Sequence, residues 1–144
     1  MEIVRKTLDQ LNIIENIEKQ VSEFKTPYTK NKYLSRLKNR KYSIFFAIEK
    51  NKEIGYAVSY GKSDKFYIWT IAVLEEYRDK GVAKELLENS IAAGKELGYN
   101  KVYLKTRNTF QNMIFLALKF GFKIVNLTKK ENEDENVIWM EKTI

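Results

Sequence analysis

The chain has 144 residues, a size typical of one folded domain, and its composition of 44% hydrophobic and 13% aromatic residues excludes a disordered protein. It contains neither cysteine nor histidine, so thiolate nucleophiles, Cys-based metal sites and the usual general base are excluded, and we expect no metal. An excess of 26 basic over 19 acidic residues gives a net charge of +7, which favours anionic partners.

The first third of the chain predicts a strand followed by two helices. The stretch "MEIVRKT" (residues 1–7) is typical of a strand. Over residues 8–24 apolar side chains recur every three or four positions, which indicates an amphipathic helix. Pro27 marks a break, and a second, basic helix follows it. The apolar positions of the first helix are Leu11, Ile14, Ile17, Val21 and Phe24.

Residues 42–74 contain three runs of β-branched and aromatic residues, separated by short polar turns. The runs are 42–50, 52–60 and 65–74, and this pattern predicts an antiparallel meander. On the third strand, simple alternation predicts one shared face for four side chains. These are Tyr67, Trp69, Ile71 and Val73.

The remainder predicts a long helix over residues 81–97 with Gly98 as its C-cap, then a strand, a short helix and a final pair of strands. The element order is therefore β-α-α-β-β-β-α-β-α-β-β. Helix crossovers and hairpins together predict a mixed α/β (α+β) fold, with a mixed, mostly antiparallel sheet of about seven strands flanked by four helices. We expect residues 1–144 to form a single domain.

No apolar run approaches the roughly 20 residues that a membrane helix needs, since the longest are 44–48 and 68–74. The N-terminus carries an acid at position 2 and lacks the basic start and apolar centre of a secretory signal. We therefore expect a cytoplasmic protein with no membrane partner.

The basic excess is concentrated in residues 25–41, which favours either a solvated helix face or a surface that binds an anion. One alternative function follows from this segment: a nucleic-acid-binding module with Tyr28 and Tyr33 as stacking groups. The segment holds seven basic residues and no acid: Lys25, Lys30, Lys32, Arg36, Lys38, Arg40 and Lys41.

The turn "RDKGVAK" (Arg78–Lys84) joins the third strand of the meander to the long helix. The first amides of a helix have no intrahelical partner, and the helix dipole favours negative charge there, so such a turn can hold a phosphate. Gly81 and Ala83 keep the approach open, and three basic side chains supply charge. We interpret Asp79 as an N-cap that turns away. Taken alone, the same residues are also compatible with an ordinary strand–helix turn.

The stretch "IAVLEEYRDKGVAKELL" resembles the acetyl-coenzyme A motif of the GNAT superfamily of N-acetyltransferases. The strand order, "ALKFGFKIV" and a last strand ending in "MEK" agree with that resemblance. It implies an enzyme that uses acetyl-CoA as a co-substrate, with the pantetheine arm on a strand backbone and the pyrophosphate in the turn. The implied cofactor-binding residues are Ile71, Ala72, Val73, Arg78, Asp79, Lys80, Gly81, Val82, Ala83 and Lys84.

The resemblance also implies direct attack of a primary amine on the thioester, with a strand amide near Ile71–Val73 stabilising the oxyanion. The acceptor would be a small molecule or a peptide or protein amine. The positive charge of the first two helices favours a neutral or anionic acceptor. Among protein partners we consider only a second copy of this chain, in a homodimer.

Tyr67 stands where relatives often carry a glutamate base, and we predict it as the catalytic residue, against the simpler interpretation of an aromatic that packs on the sheet. Ala117 and Phe110 replace a tyrosine and an asparagine that are common in the family. These two departures support a second alternative, an acyl-CoA-binding protein without transferase activity.

Overall fold

The computed structural model describes residues 1–24 and 28–144, and it confirms the predicted order of seven strands and four α-helices. Two sequence predictions fall outside the described residues. They are Lys25, predicted as part of the basic segment, and Pro27, predicted as a helix break. The elements are β1 (Glu2–Lys6), α1 (Leu11–Glu18), α2 (Lys30–Leu37), β2 (Tyr42–Glu49), β3 (Lys52–Lys62), β4 (Lys65–Val73), α3 (Val82–Glu96), β5 (Lys101–Arg107), α4 (Gln111–Lys119), β6 (Lys123–Thr128) and β7 (Val137–Thr143).

The seven strands form one sheet in the order β1-β2-β3-β4-β5-β7-β6. Strands β1 to β4 are an antiparallel meander, and β5, β7 and β6 pair antiparallel at the other side. Strands β4 and β5 pair in parallel, with α3 as the crossover that a parallel pair requires. The prediction of a mixed, mostly antiparallel sheet is confirmed.

The first helix is shorter than the sequence predicted. A 3₁₀ turn occupies Leu8–Gln10, α1 ends at Glu18, and Val21 lies beyond the helix although it is buried. The backbone leaves the helix through tight turns, because the Val21 N–H bonds the Glu18 carbonyl three residues back at 3.1 Å. Such turns preserve a spacing of three residues between apolar side chains, so the periodicity alone did not reveal the end of the helix.

Helices cover both faces of the sheet and create two cores. One core lies under α3 and α4 and includes Phe66, Leu86 and Met140. The other lies under α1 and α2 and is rich in tyrosine and tryptophan. The aromatic members of this second core are Tyr33, Tyr56, Tyr60, Tyr67, Trp69 and Tyr103.

Helix α3 lies close to β4 because Gly94 faces Phe66: a Cβ at Gly94 would come within 2.7 Å of that ring. The helix ends in a Schellman motif, with the Tyr99 N–H bonded to the Gly94 carbonyl and the Gly98 N–H to the Lys95 carbonyl. Gly98 has φ 96° and follows Leu97, the C-cap residue itself. The predicted helix end is therefore confirmed to within one residue.

Truncating Phe66 should destabilise the fold strongly. Phe66 is fully buried and stacks on Tyr99 at 5.3 Å, so Phe66→Ala should lower the free energy of unfolding by about 3–5 kcal/mol. Phe115, which is 59% exposed, is the matched control. Phe115→Ala should change the free energy of unfolding by less than about 0.5 kcal/mol. Urea unfolding followed by circular dichroism measures both, and equal losses would contradict the assignment of Phe66 to the core.

Candidate active site

Strand β4 contains a β-bulge at Trp69. Val58 of β3 pairs with Thr70, but the next residue, Ser59, pairs with Ile68, so Trp69 has no partner of its own. The extra residue resets the alternation of side chains. Tyr67 and Trp69 belong to the core under α1 and α2, whereas Ile71 and Val73 pack with the core under α3. The prediction that all four share one face is wrong, because simple alternation assumes an unbroken ladder.

Strands β4 and β5 separate at the level of the bulge. Their parallel register covers Phe66 to Ile68 of β4 and ends at the pair Ile68–Leu104, although β4 continues to Val73. Within residues 1–24 and 28–144, no strand is recorded beside this last part of β4 on its β5 side. Its main-chain groups on that side are free to bind a ligand that enters the opening.

The turn after β4 leads from this opening to the start of α3. Gly81 is the N-cap residue of α3, with φ 81°, a backbone conformation that favours glycine. It offers no side chain to cap the helix, so the amides of Val82, Ala83 and Lys84 point outward without an intrahelical acceptor. A Cβ built at Gly81 would meet nothing within 4 Å, so the space beside Gly81 at the start of the helix is open.

Arg78 is held by protein groups. Its guanidinium donates two hydrogen bonds to the Glu23 carboxylate at 2.6 and 3.1 Å, and its Nε donates to the Val73 carbonyl at 3.0 Å. The bonds from Arg78 lower the pKa of Glu23. This bidentate pair ties the segment after α1 to the end of β4.

Asp79 does not cap α3. It has φ 61°, and the cap position belongs to Gly81, two residues later. The interpretation of Asp79 as N-cap is therefore wrong. Lys80 and Lys84 are exposed beside the helix start; Lys80 lies 5.7 Å from the Tyr77 ring and Lys84 lies 3.9 Å from Glu88. Positive charge at the turn therefore comes mainly from these two lysines.

A buried carboxylate lies behind the bulge, and the sequence analysis missed it. Glu18 is fully buried at the end of α1 and accepts hydrogen bonds from the hydroxyls of Tyr33 and Tyr56, the latter at 2.6 Å. The Tyr33 hydroxyl also lies 3.5 Å from Thr70 Oγ1 on β4. Glu18 follows Ile14 by four residues and Leu11 by seven, so a charge on the apolar stripe of the helix was the available signal.

Burial raises the pKa of Glu18, against the lowering effect of the two phenols that bond it. Burial and the nearby carboxylate raise the pKa values of Tyr33 and Tyr56 in turn. The tyrosines therefore stay protonated, and the network links α1, α2, β3 and β4 through one carboxyl group.

Tyr67 is buried, and its ring stacks on Tyr103 at 4.5 Å, just before the strands separate. Burial raises its pKa, so its phenol stays protonated at neutral pH and is not a base; it can donate a hydrogen bond or relay a proton. Ala117 is fully buried in the core under α4, and Phe110 is 38% exposed at the start of that helix. Neither residue offers a polar group.

Tyr67 belongs to a continuous layer of rings on the α1–α2 face, which we call the aromatic floor. Centroids of neighbouring rings lie 4.5 to 6.4 Å apart. Four cations lie over its rings: Arg36 at 5.0 Å from Trp69, Arg40 at 5.1 Å from Tyr60, Lys65 at 6.0 Å from Tyr103 and Lys105 at 4.2 Å from Trp139. The floor consists of Tyr60, Tyr67, Trp69, Tyr103 and Trp139.

Neither a metal site nor a membrane-spanning helix is found in the part of the chain that the structure describes. No cluster of three or more aspartate or glutamate side chains is arranged to hold a metal ion there. None of the helices in these residues has both the length and the apolar character needed to cross a membrane.

Comparison with known proteins identifies the family. The sequence pattern of the acetyltransferase (GNAT) family matches residues 8–122. The chain is 35% identical over 111 residues to an N-alpha-acetyltransferase of Saccharolobus solfataricus, a match that covers 67% of this chain and 66% of the relative. It is 26% identical over 138 residues to a putative [ribosomal protein bS18]-alanine N-acetyltransferase of Bacillus subtilis, covering 92% and 90% of the two chains.

The fold agrees with this family. The crystal structure of the ribosomal-protein-S18-alanine N-acetyltransferase from Escherichia coli superimposes with a TM-score of 0.86 at 21% identity, covering 99% of this chain and 93% of that one. The chain belongs to the GNAT acetyltransferase family, as the sequence analysis predicted. It is therefore an N-acetyltransferase, and the donor that its family uses is acetyl-CoA.

Removing the charge of Glu18 should change how stability depends on pH. Because the folded-state pKa of Glu18 is raised, its contribution to stability is fully present below the unfolded pKa of about 4.3 and is lost as the pH rises through the folded value. Glu18→Gln cannot ionise, so its stability relative to the parent protein should rise between pH 4 and pH 8. Urea unfolding at several pH values measures this.

Glu15 on the same helix is the matched control for this measurement. The Lys30 amide, at 2.7 Å, lowers the pKa of Glu15, so its contribution is present above the unfolded pKa and is lost as the pH falls. Glu15→Gln should therefore show a relative stability that falls as the pH rises, opposite in sign to Glu18→Gln. The same trend in both variants would contradict the raised pKa of Glu18.

Proposed function

We propose that the protein transfers the acetyl group of acetyl-CoA to the α-amino group of peptide or protein N-termini. The observation that carries this proposal is the opening between β4 and β5 beyond Ile68, which runs to the uncapped start of α3 at Gly81. The acceptor class is supported by the relatives, which include an N-alpha-acetyltransferase and a putative ribosomal-protein alanine N-acetyltransferase. A cytoplasmic location, expected from the sequence, belongs to the same proposal.

In this proposal the donor lies along β4. The main chain of Ile71, Ala72 and Val73 binds the pantetheine arm, in the manner of an added strand. The amides of Val82, Ala83 and Lys84 bind the pyrophosphate, with the positive end of the α3 dipole behind them. Lys80 and Lys84 add charge from the rim. Arg78 and Asp79 contribute through the backbone of the turn, since the side chain of Arg78 is held by Glu23.

The chemistry needs a neutral amine. An α-amino group has a pKa of about 7.7–8.0, against about 10.4 for a lysine side chain, so a larger fraction is neutral near pH 7 without a strong base. This suits a chain that lacks histidine. The amine nitrogen attacks the thioester carbonyl directly, and the oxyanion that forms accepts a hydrogen bond from a β4 amide. As the C–S bond breaks, the Tyr67 hydroxyl passes its proton to the leaving thiolate and regains one from the nitrogen that has been acetylated.

The donor site is tested by a charge placed at the start of α3. Gly81→Glu should weaken acetyl-CoA binding at least tenfold, about 1.4 kcal/mol, because the carboxylate competes with the pyrophosphate. Isothermal titration calorimetry measures the affinity. Gly98→Glu is the matched control, since Gly98 also has positive φ with nothing within 4 Å of an added Cβ, but lies at the other end of α3.

Both variants place a side chain at a residue with positive φ, so both carry a similar backbone strain. Thermal unfolding shows whether each variant is folded, which separates a loss of folding from a loss of binding. Gly98→Glu should keep the parent affinity. If a folded Gly81→Glu variant bound acetyl-CoA with the affinity of the parent protein, the proposed donor site would be contradicted. Tight binding of acetyl-CoA with no turnover of any amine would instead favour the acyl-CoA-binding alternative.

The role of Tyr67 is tested by removing its hydroxyl. Tyr67→Phe keeps the ring that stacks on Tyr103, so a proton donor predicts a fall in kcat of at least tenfold with little change in Tm. Steady-state kinetics with a peptide acceptor measure kcat and KM separately. An unchanged kcat would leave Tyr67 as a packing residue.

A further inference from the structure

The aromatic floor carries cations in a connected arrangement. The Arg36 guanidinium lies over Trp69 and donates a hydrogen bond to the Tyr60 hydroxyl at 2.9 Å. The Lys105 ammonium lies over Trp139 and is also 5.3 Å from the Tyr67 ring. Tyr60 lies 5.5 Å from both Trp69 and Tyr67, so the two cations are positioned over neighbouring rings of one surface.

These cations lack acidic partners. Within the described residues, no carboxylate oxygen lies within 4 Å of Arg36, Lys62 or Lys105. Glu141, at the edge of the floor, is paired with Lys65 and Lys101. Burial, followed by the like charges of Lys62 and Arg36, lowers the pKa of Lys105. Cations gathered without a counter-ion repel one another, and an anionic ligand relieves that repulsion.

The cations also lie where an acceptor approaches the donor. Lys105 follows Leu104, the last β5 residue paired with β4, so it lies at the start of the opening. Arg36 lies above Trp69, the bulge residue. The helices that pack most against β5 are α3 and α4, which belong to the core on the other face, so Lys105 and Trp139 stay partly exposed.

A depression of about 340 Å³ continues this surface along the floor. Tyr103 and Trp139 line it together with Lys62 and Lys65, and two carboxylates, Asp64 and Glu141, line it as well; Glu141 is paired with Lys65. It provides room for the residues that follow an N-terminal amine, beside the same group of cations.

We propose that Arg36 and Lys105 are specificity-determining residues that select acceptors with a carboxylate close to the amine, namely peptides with aspartate or glutamate among their first two residues. The inference rests on the proposed function and specifies its substrate class. The carboxylate lies between the two cations, while the amine reaches the thioester in the opening. The rings beneath hold the cations in place and exclude water, which strengthens the attraction.

Kinetics with matched peptides test this proposal. Pairs that differ only by Asp or Asn at the first or second position are compared by kcat/KM, together with free aspartate as a small-molecule source of the same chemistry. The parent protein should prefer the Asp peptide of at least one pair by about tenfold, a difference of about 1.4 kcal/mol. Equal rates within both pairs would overturn the proposal while leaving the proposed function in place.

Variants of the two cations sharpen the test. In Arg36→Met and Lys105→Met the ratio of kcat/KM between Asp and Asn peptides should fall towards one, since methionine keeps an apolar contact with the rings but removes the charge. Lys41→Met is the matched control: Lys41 lies 5.8 Å from the Tyr99 ring, outside the floor, and its removal should keep the parent ratio. A ratio that persists in both floor variants would overturn the proposal.

A reversal of charge gives an independent result. Lys105→Glu should turn the preference towards peptides with lysine at the same position, because the sign of the nearest charge changes. A continued preference for Asp would count against Lys105. Turnover of free aspartate at a rate equal to the Asp peptide would overturn the peptide assignment. A lack of turnover with any peptide amine would overturn the proposed function itself, and this inference with it.

Discussion

The extra residue at Trp69 in β4 is the constraint on which the rest of the site depends. One unpaired residue in the ladder with β3 coincides with the end of pairing between β4 and β5. It separates the side chains of the strand into an aromatic set that faces α1 and α2 and an aliphatic set that faces α3. A bulge bends its strand, and the opening between β4 and β5 begins where this bend lies.

The buried network of Glu18 explains how this irregular strand is supported. A bulge leaves part of a ladder unmade, and here polar contacts from two helices lie against the same region, through Tyr33 and Thr70. The ion pair of Arg78 and Glu23 supports the other end, where β4 turns towards Gly81. Both devices connect the segment around α1 and α2 with β4, so these two helices and the irregular strand form one framework.

The sequence predicted the element order, the sheet type and the turn at the start of α3, because these depend on local patterns that persist in the fold. It could not predict the bulge, which is a mismatch between two strands: both faces of β4 are buried, so its sequence shows no polar–apolar alternation that the extra residue could interrupt. The end of α1 was also hidden, since 3₁₀ turns preserve the apolar spacing, and Glu18 was overlooked as one charge on an apolar stripe. The sequence did not predict a role for Lys105, because the side chains around it belong to three strands that are distant from it in the sequence.

The chain has only two tryptophans, and both belong to the aromatic floor, one under Arg36 and the other under Lys105. Indole emission responds to nearby charge and to exclusion of water, so the tryptophan fluorescence of the unlabelled protein, excited where tyrosine does not absorb, originates entirely at the aromatic floor. Quenching or a shift in wavelength would therefore report occupancy of the floor and of the opening beside Trp69 without a label.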